Sequence, residues 1–291
     1  MKNVFISGCG DIGNRVALRW LQRDVTVFGL ARNVASHNQC VANNIEALNG
    51  DLDDPESLQH LVLKDVILYH FAPPPPTGDT DPRIGNLLQI AQPPANLPSK
   101  VILISTTAVY GDCQGQWVTE ESPVAPTSER GKRRLHSEQT LIRWSAITGV
   151  PYIILRVPGI YGPGRLPIDR IKKALPVLKE AESPYTNRIH ANDLANICVV
   201  AAESPLTNRI YNVTDGHPST MTRYFKTIAD AYNLPHPPEI SMQEAQQVMS
   251  AGMLSYLQES RRIDNKKLLS ELGITLQYPE LSVSALLGTA E

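Results

Sequence analysis

The sequence lacks the features that would indicate a membrane-spanning, secreted or nucleic-acid-binding protein. No apolar run approaches the roughly 18 residues that a membrane-spanning helix needs, and the apolar start Val4–Ser7 is too short for a signal peptide. The 27 Lys and Arg residues nearly balance the 29 Asp and Glu residues, so there is no basic surplus for binding nucleic acid. We therefore expect a cytoplasmic protein with no membrane and no nucleic-acid partner.

Cysteine is also scarce, with four residues in the chain: Cys9, Cys40, Cys113 and Cys198. Their spacing matches no Cys-x-x-Cys pair and no Cys/His zinc motif, so the sequence predicts neither a disulfide framework nor a metal site. We expect reduced, buried thiols.

The rest of the composition is that of an ordinary globular chain. Hydrophobic residues make up 42% and charged residues 19%, which excludes disordered, collagen-like and coiled-coil proteins. A length of 291 residues fits one enlarged α/β unit, or one domain with an attached lobe.

Short apolar runs alternate with helical patterns through the first half of the chain, which is typical of βαβ units in a parallel sheet. The predicted strands are Asn3–Ser7, Asp24–Gly29, Ile45–Leu48, Asp65–Phe71, Lys100–Ser105, Tyr152–Arg156 and Arg209–Val213. Beyond Tyr161 the pattern loosens, and Gly- and Pro-rich segments separate predicted helices at about Asp193–Ala202, Met221–Tyr232 and Met242–Met249.

A glycine-rich turn follows the first predicted strand and opens a helix predicted from Asp11 to Arg23. It reads Gly8-Cys9-Gly10-Asp11-Ile12-Gly13, a Gly-x-Gly-x-x-Gly pattern in the context that dinucleotide binding requires. Gly8 permits a tight turn, Gly10 lets the backbone approach a pyrophosphate, and Gly13 lets helix and strand pack closely. The helix N-terminus offers free N–H groups to the phosphates, so the turn predicts a dinucleotide site formed by Gly8, Gly10, Asp11, Ile12 and Gly13.

The end of the second predicted strand bears on which dinucleotide binds. NAD-binding proteins usually carry an acidic residue there for the ribose hydroxyls, but this chain has Arg32 and no carboxylate. A guanidinium suits the 2′-phosphate of NADP, so we expect NADP, with NAD as the alternative. The other interpretation of Arg32 is an ordinary solvated surface arginine.

These patterns predict an α/β fold with a Rossmann-type doubly wound parallel sheet and a smaller, discontinuous C-terminal substrate lobe. We expect residues 1–160 to form the NAD(P)-binding domain, completed by segments near 188–215. Residues 161–291 would form mainly the substrate-binding lobe.

Five further motifs resemble, in order and spacing, the extended short-chain dehydrogenase/reductase family of NAD(P)-dependent epimerases and dehydratases. The motifs are Gly50-Asp51-Leu52, ISTTAVYG at 104–111, ILRVPGIYGPGR at 154–165, RIHANDLA at 188–195 and YNVTDG at 211–216. The glycine turn is one residue shorter than the family's usual Gly-x-x-Gly-x-x-Gly, which indicates an atypical branch.

The resemblance implies three further pairs of cofactor contacts: Asp51 and Leu52 at the adenine ring, Ala72 and Pro73 beneath the ribose, and Val157 and Pro158 beside the nicotinamide. It also implies that Thr106, four residues before Tyr110, is the family's catalytic Ser/Thr, whose hydroxyl would bond the reacting oxygen. The alternative for Thr106 is a hydroxyl satisfied at a strand end.

The chain departs from the family at its Tyr-x-x-x-Lys pair. Counted back from Glu138, the tyrosine position holds Arg130 and the lysine position holds Arg134. A guanidinium does not deprotonate at accessible pH, so Arg130 and Arg134 can only donate hydrogen bonds or stabilise developing negative charge. The basic run around them is either a clamp for phosphate or carboxylate, or a solvated turn. His136 would point away from Arg134 around the helix.

In the second lobe, Tyr161, Arg165, Arg188 and Arg262 stand where the family contacts its substrate, although an exposed structural role is an equal interpretation of each. Together they favour an anionic small molecule, either a nucleotide sugar or a phosphorylated sugar. The resemblance implies an NAD(P)-dependent oxidoreductase, epimerase or dehydratase, and a homodimer packed through helices such as 132–147. A non-catalytic NADP-binding sensor is the alternative, because it accounts for the missing Tyr and Lys.

Overall fold

The computed structural model describes residues 3–91 and 94–287. The chain divides into two compact units. Unit 1 takes the described residues within Met1–Val109, Glu129–Arg156 and Leu194–Tyr211, and unit 2 takes those within Tyr110–Ser128, Val157–Asp193 and Asn212–Glu291. None of the helices in the described ranges is long and apolar enough to cross a membrane.

The strands of the described residues are, in chain order, β1 (Val4–Ser7), β2 (Val27–Ala31), β3 (Glu46–Asn49), β4 (Ile67–His70), β5 (Lys100–Thr106), β6 (Trp117–Val118), β7 (Tyr152–Val157), β8 (Gly159–Tyr161), β9 (Val177–Leu178), β10 (Tyr185–Thr186), β11 (Arg188–His190), β12 (Arg209–Asn212), β13 (Ser219–Thr220), β14 (Glu239–Ile240) and β15 (Arg262–Ile263). The α-helices are α1 (Asp11–Leu21), α2 (Val34–Ala42), α3 (Pro82–Ile90), α4 (Glu129–Thr148), α5 (Ile168–Lys172), α6 (Ala191–Glu203), α7 (Met221–Ala231), α8 (Met242–Val248), α9 (Ala251–Leu257), α10 (Lys266–Leu272) and α11 (Val283–Leu287). Short 3-10 helices lie at Pro55–Leu58, Pro94–Asn96, Thr107–Tyr110 and Glu180–Glu182.

A seven-stranded sheet runs through unit 1 in the order β12-β7-β5-β4-β1-β2-β3. The β1 strand pairs in parallel with β2 on one side and with β4 on the other, and the pairs β2–β3 and β4–β5 are also parallel. The strand order reverses between β1 and β4, which is the switch point of a doubly wound fold. The predicted fold class is therefore confirmed.

All seven sheet strands had been predicted, with shifted bounds. The predictions for β2 and β4 began at Asp24 and Asp65, but these residues have φ of +57° and +60°. Left-handed backbone cannot continue into a strand, so each strand begins two or three residues later. Each aspartate therefore marks the turn that leads into its strand.

Helix α1 packs against the sheet through one buried face. Ile12, Val16 and Trp20 recur every four residues on that face and are at most 8% exposed. The strand β1 is buried at every position, as expected of a central parallel strand covered on both faces. Strand, turn and helix are therefore held rigidly around the glycine turn.

Unit 2 is built from short strand pairs and helices. Its pairs are β6–β15, β8–β11, β9–β14 and β10–β13, and strands this short have no detectable period in the sequence. Its core includes Tyr161, Tyr224, Phe225 and Ile228. Helix α8 ends one residue before its predicted end because Met249 is extended (ψ 150°).

Candidate cofactor site and substrate-binding residues

The glycine turn lies at the switch point of the sheet, in unit 1. Gly8 follows β1 with φ +102°, and a Cβ there would lie 2.4 Å from the backbone nitrogen of Ala72, which follows β4. A Cβ on Gly13 would lie 2.4 Å from the Gly8 carbonyl oxygen. These two positions are therefore closed to any side chain by the protein's own backbone.

Gly10 differs from both neighbouring glycines. A Cβ on Gly10 would meet no atom of the described residues within 4 Å, and its φ of −76° is open to any residue. No contact within residues 3–91 and 94–287 therefore explains a glycine here. An outward-facing surface without a side chain at a helix N-terminus is the form of a phosphate-binding turn.

The carboxylate of Asp11 stands at the same helix N-terminus. It accepts a hydrogen bond of 2.8 Å from Arg15 Nε, one helical turn later. This ion pair offsets the negative charge of Asp11, so its side chain adds little repulsion toward an anion at the backbone N–H groups.

A cavity of about 190 Å³ adjoins the turn. Its lining contains six of the residues predicted to bind the cofactor: Gly8, Arg32, Asp51, Leu52, Ala72 and Pro73. The structure brings together residues that come from the ends of four strands, because the carboxyl ends of parallel strands meet at one edge of a sheet. Val157 ends β7, and Pro158 follows it, half-buried; both belong to unit 2.

Arg83 also lines this cavity and was missed from the sequence. Its Nε and terminal nitrogen donate to the two carboxylate oxygens of Asp53 at 2.7 and 2.5 Å, and the other terminal nitrogen donates to the Pro73 carbonyl at 2.8 Å. The hydrogen bonds from Arg83 hold the pKa of Asp53 below its usual value, and the positive charge of Arg32 acts in the same direction. No motif indicates this arginine; only the fold places α3 beside the cavity.

The loop after β4 is held by α4 of the same unit. Helix α4 begins at Glu129, so the basic run lies within the first turns of this helix. Arg133 is buried and donates to the Gly78 carbonyl at 2.6 Å, whereas Lys132 pairs with Asp79 at 3.3 Å. Within the basic run, Arg133 is therefore neither solvated nor available to a ligand.

Arg130 and Arg134 are both half-buried on α4. A terminal nitrogen of Arg134 lies 3.4 Å from the Ala72 carbonyl oxygen, which it can reach as a donor, and burial lowers the pKa of Arg134 to about 10. Arg134 thus remains a cation near neutral pH and cannot act as a base. His136 accepts a hydrogen bond of 3.2 Å from the Asp81 backbone N–H, so its ring is held against the loop that follows β4.

Thr106 is the last residue of β5 and is half-buried. Its Oγ1 lies 3.3 Å from the backbone nitrogen of Ala108, at the long end of hydrogen-bond range. This contact uses the hydroxyl only as an acceptor, so its proton can still be donated to another group. The catalytic role of Thr106 stays a prediction.

In unit 2, Arg188 is buried and engaged by its own unit. Its guanidinium carbon lies 4.2 Å from the ring centre of Tyr224, and one terminal nitrogen donates to the Asn187 carbonyl at 2.8 Å. Arg165 is exposed, and its positive charge opposes the rise that burial causes in the pKa of Tyr224. The structure therefore places two of the predicted substrate residues near the same tyrosine.

The other two predicted substrate residues are also engaged within unit 2. Tyr161 is fully buried, and its hydroxyl donates to the Glu280 carbonyl at 3.2 Å. Arg262 lies between the rings of Trp117 and Tyr185, 5.3 and 5.1 Å from their centres, and its Nε donates to the Gly115 carbonyl at 2.7 Å. A substrate contact for any of the four stays a prediction.

Comparisons with known proteins were consistent with this geometry. Over 183 residues the chain is 28% identical to protein YeeZ of Escherichia coli K12, a match covering 62% of this chain and only 59% of YeeZ. A solved structure of a conserved protein of unknown function from Silicibacter pomeroyi is 28% identical over 100% of both chains, with a TM-score of 0.85. UDP-glucuronic acid 4-epimerase from Bacillus cereus, solved in complex with NAD, is 18% identical over 100% of this chain and 97% of its own, with a TM-score of 0.76, and so shows the fold alone.

Residues 4–214 match the NAD dependent epimerase/dehydratase family, a range that includes the glycine turn, the whole central sheet and the predicted catalytic positions. The description of this family supports a nicotinamide dinucleotide as the cofactor. The fold and this match together establish that the chain belongs to the NAD-dependent epimerase/dehydratase family.

Proposed function

We propose that the protein binds NADP at the glycine turn and the adjoining cavity, and interconverts a nucleotide-linked or phosphorylated sugar by an epimerase- or dehydratase-type oxidation and reduction. The observation that carries this proposal is the gathering of six predicted cofactor residues around one cavity beside the turn. The turn leaves Gly10 open where a pyrophosphate would approach, and the cavity beside it would take the adenosine end. Residues 1–160 and 161–291 would then serve as cofactor domain and substrate lobe.

Arg32 carries the choice of NADP over NAD. It lies at the end of β2 on the rim of this cavity, it is exposed, and no carboxylate occupies the usual ribose-binding position. Asp53 stands nearby, but Arg83 neutralises it through two hydrogen bonds. The Arg32 guanidinium can bind a 2′-phosphate through two parallel hydrogen bonds, which a bare ribose hydroxyl does not accept.

When bound, the nicotinamide would accept and return a hydride. The residues at the reaction centre would be Thr106, Arg130 and Arg134, with Val157 and Pro158 beside the nicotinamide. Thr106 would donate a hydrogen bond to the reacting oxygen, and the two arginines would stabilise negative charge on it. Since neither guanidinium can accept the hydroxyl proton, a water or a hydroxyl of the substrate would carry it.

Tyr161, Arg165, Arg188 and Arg262 would bind the substrate. Three of the four are cations, which favours an anionic ligand, and UDP-glucuronic acid 4-epimerase, named for an anionic nucleotide sugar, shares the fold. The homodimer that the resemblance implies, packed through residues such as 132–147 of α4, stays a prediction.

Arg32→Ala is expected to weaken NADPH binding at least about tenfold while changing NADH binding little, because the lost charge-assisted hydrogen bonds serve only the 2′-phosphate. Titration calorimetry of both proteins with both nucleotides measures this. Arg23→Ala is the matched control, because Arg23 pairs with Glu203 rather than lining the cavity. Equal losses for the two nucleotides would contradict the assignment of Arg32 to the 2′-phosphate.

Stopped-flow absorbance at the reduced-nicotinamide band tests the catalytic part, with a panel of nucleotide sugars and sugar phosphates. We expect a substrate-dependent transient in the native protein and its loss in Thr106→Val. Tight nucleotide binding without any transient, together with turnover gained by Arg130→Tyr/Arg134→Lys, would instead show a cofactor-binding sensor that has lost the chemistry.

A further inference from the structure

Two cysteines that are distant in the sequence meet beneath the glycine turn. Cys9 lies inside the turn, between Gly8 and Gly10, and Cys40 lies on the buried face of α2. The Cys9 thiol donates a hydrogen bond of 3.5 Å to the Ile6 carbonyl oxygen, and the sulfur atoms of Cys9 and Cys40 both lie beside Gly29. The cysteine spacing in the sequence does not predict this pair.

Gly29 on β2 makes room for both sulfur atoms. A Cβ at this position would lie 2.7 Å from Cys9 Sγ and 2.9 Å from Cys40 Sγ. The φ of Gly29 is outside the left-handed region, so backbone conformation does not demand a glycine here. The missing side chain instead leaves space in which the two thiols lie side by side.

The interaction between the two thiols also shifts their pKa values. It raises the pKa of Cys9 above its usual value and lowers the pKa of Cys40 to about 7. For the other two cysteines, burial raises the pKa of Cys113 and of Cys198. A thiolate is the reactive form of cysteine, which favours oxidation at this pair. Cys9 is half-buried and Cys40 fully buried, so an oxidant would reach the pair from the side of Cys9.

We propose that Cys9 and Cys40 are a site of reversible oxidation that closes to a disulfide beneath the glycine turn. The oxidant is a small hydroperoxide. The thiolate of the pair attacks one peroxide oxygen, the O–O bond breaks, and a sulfenic acid and hydroxide form. The second sulfur then attacks the sulfenic sulfur, so that the S–S bond forms as the S–O bond breaks. The two thiols lose two electrons and two protons, and hydrogen peroxide is reduced to two molecules of water.

Closure would move the turn. A disulfide holds its sulfur atoms about 2 Å apart, closer than two sulfur atoms that are not bonded, so closure would draw Cys9 and α2 toward each other. Gly8 and Gly10 are bonded to Cys9 on either side, so a movement of Cys9 would also shift their N–H groups. The oxidised protein would thus bind the dinucleotide less tightly, a consequence that rests on the proposed function.

Peroxide treatment of the full chain tests the proposal. The reduced protein, freed of reductant, is titrated with hydrogen peroxide, its free thiols are blocked with N-ethylmaleimide, and proteolytic peptides are examined by mass spectrometry. We expect a peptide cross-linked between Cys9 and Cys40 before Cys113 or Cys198 is oxidised, reversal by dithiothreitol, and no such peptide in Cys40→Ser. Cys198→Ser is the matched control and should still form it.

Alkylation of both Cys9 and Cys40 after an exposure that oxidises Cys113 would overturn the proposal, as would a disulfide between chains. Calorimetry with NADPH is then run on the reduced and cross-linked proteins, where we expect a loss of at least about tenfold, absent in Cys40→Ser. Unchanged affinity would refute the coupling to the turn. Failure of the reduced protein to bind NADPH or NADH would refute the proposed cofactor site. The presence or absence of the cross-linked peptide would still show whether the disulfide forms.

Discussion

Gly10→Ala is expected to weaken NADPH binding at least about tenfold while leaving the protein folded, with a stability change within about 1 kcal/mol. In the part of the chain that the structure describes, a Cβ at Gly10 meets no atom within 4 Å, and its φ of −76° suits alanine. The added methyl group therefore costs the free protein little. Its only effect is to fill the surface that the pyrophosphate would approach.

Gly8→Ala is the comparison that separates binding from folding. Its Cβ would lie 2.4 Å from the Ala72 nitrogen, and the φ of +102° alone costs an alanine about 1–3 kcal/mol. We expect a lower melting temperature together with the loss of nucleotide binding. Calorimetry and thermal unfolding of both variants measure the two effects. If Gly10→Ala bound NADPH as tightly as the native protein, the pyrophosphate would not lie at this turn.

Glu138→Ala is expected to be the most destabilising of these changes. Glu138 is 1% exposed and accepts hydrogen bonds from Arg156 Nε at 3.1 Å, from an Arg156 terminal nitrogen at 2.8 Å, and from Ser105 Oγ at 2.5 Å. Arg156 is only 4% exposed, so the substitution removes a carboxylate that accepts two hydrogen bonds from a buried guanidinium. Breaking a buried pair in this way costs about 3–5 kcal/mol.

Thermal unfolding followed by tryptophan fluorescence measures this loss, which corresponds to a decrease in melting temperature of about 6–20 °C. The control is Glu138→Leu/Arg156→Met, which removes both charges and should recover most of the stability, because no unpaired charge remains in the core. A double variant as unstable as the single one would show that packing, rather than the unpaired charge, causes the loss.

The course of the chain through unit 1 could be predicted from its sequence. Apolar runs such as Val4–Ser7 and Lys100–Thr106 were identified because a buried parallel strand is apolar on both faces. The turn at Gly8 could be identified because its glycines recur in the spacing that a dinucleotide turn needs. The short strands of unit 2 escaped prediction, since two-residue pairs such as Trp117–Val118 with Arg262–Ile263 have no periodicity.

Contacts between distant segments could not be predicted in the same way. Arg83 carries no motif, yet α3 places it on the cavity, and Arg133 was grouped with solvated or ligand-binding cations although it anchors Gly78. The ring nitrogen of His136 accepts a hydrogen bond from the Asp81 backbone N–H, a contact that also depends on the fold. Each of these roles depends on which carbonyl or N–H group the fold brings within hydrogen-bond distance, about 3 Å. The periodicity of the sequence contains no information about such contacts between distant segments.

The strands of unit 1, the glycine turn and the family could all be predicted from the sequence, because period, glycine placement and motif order are properties of neighbouring residues. The fold was needed to show which side chains share a cavity, which arginines are already engaged by carbonyl groups, and that Cys9 and Cys40 meet beside Gly29. These are encounters between segments far apart along the chain. The packing of β1, β2 and α2 against one another, for example, brings the two cysteines together.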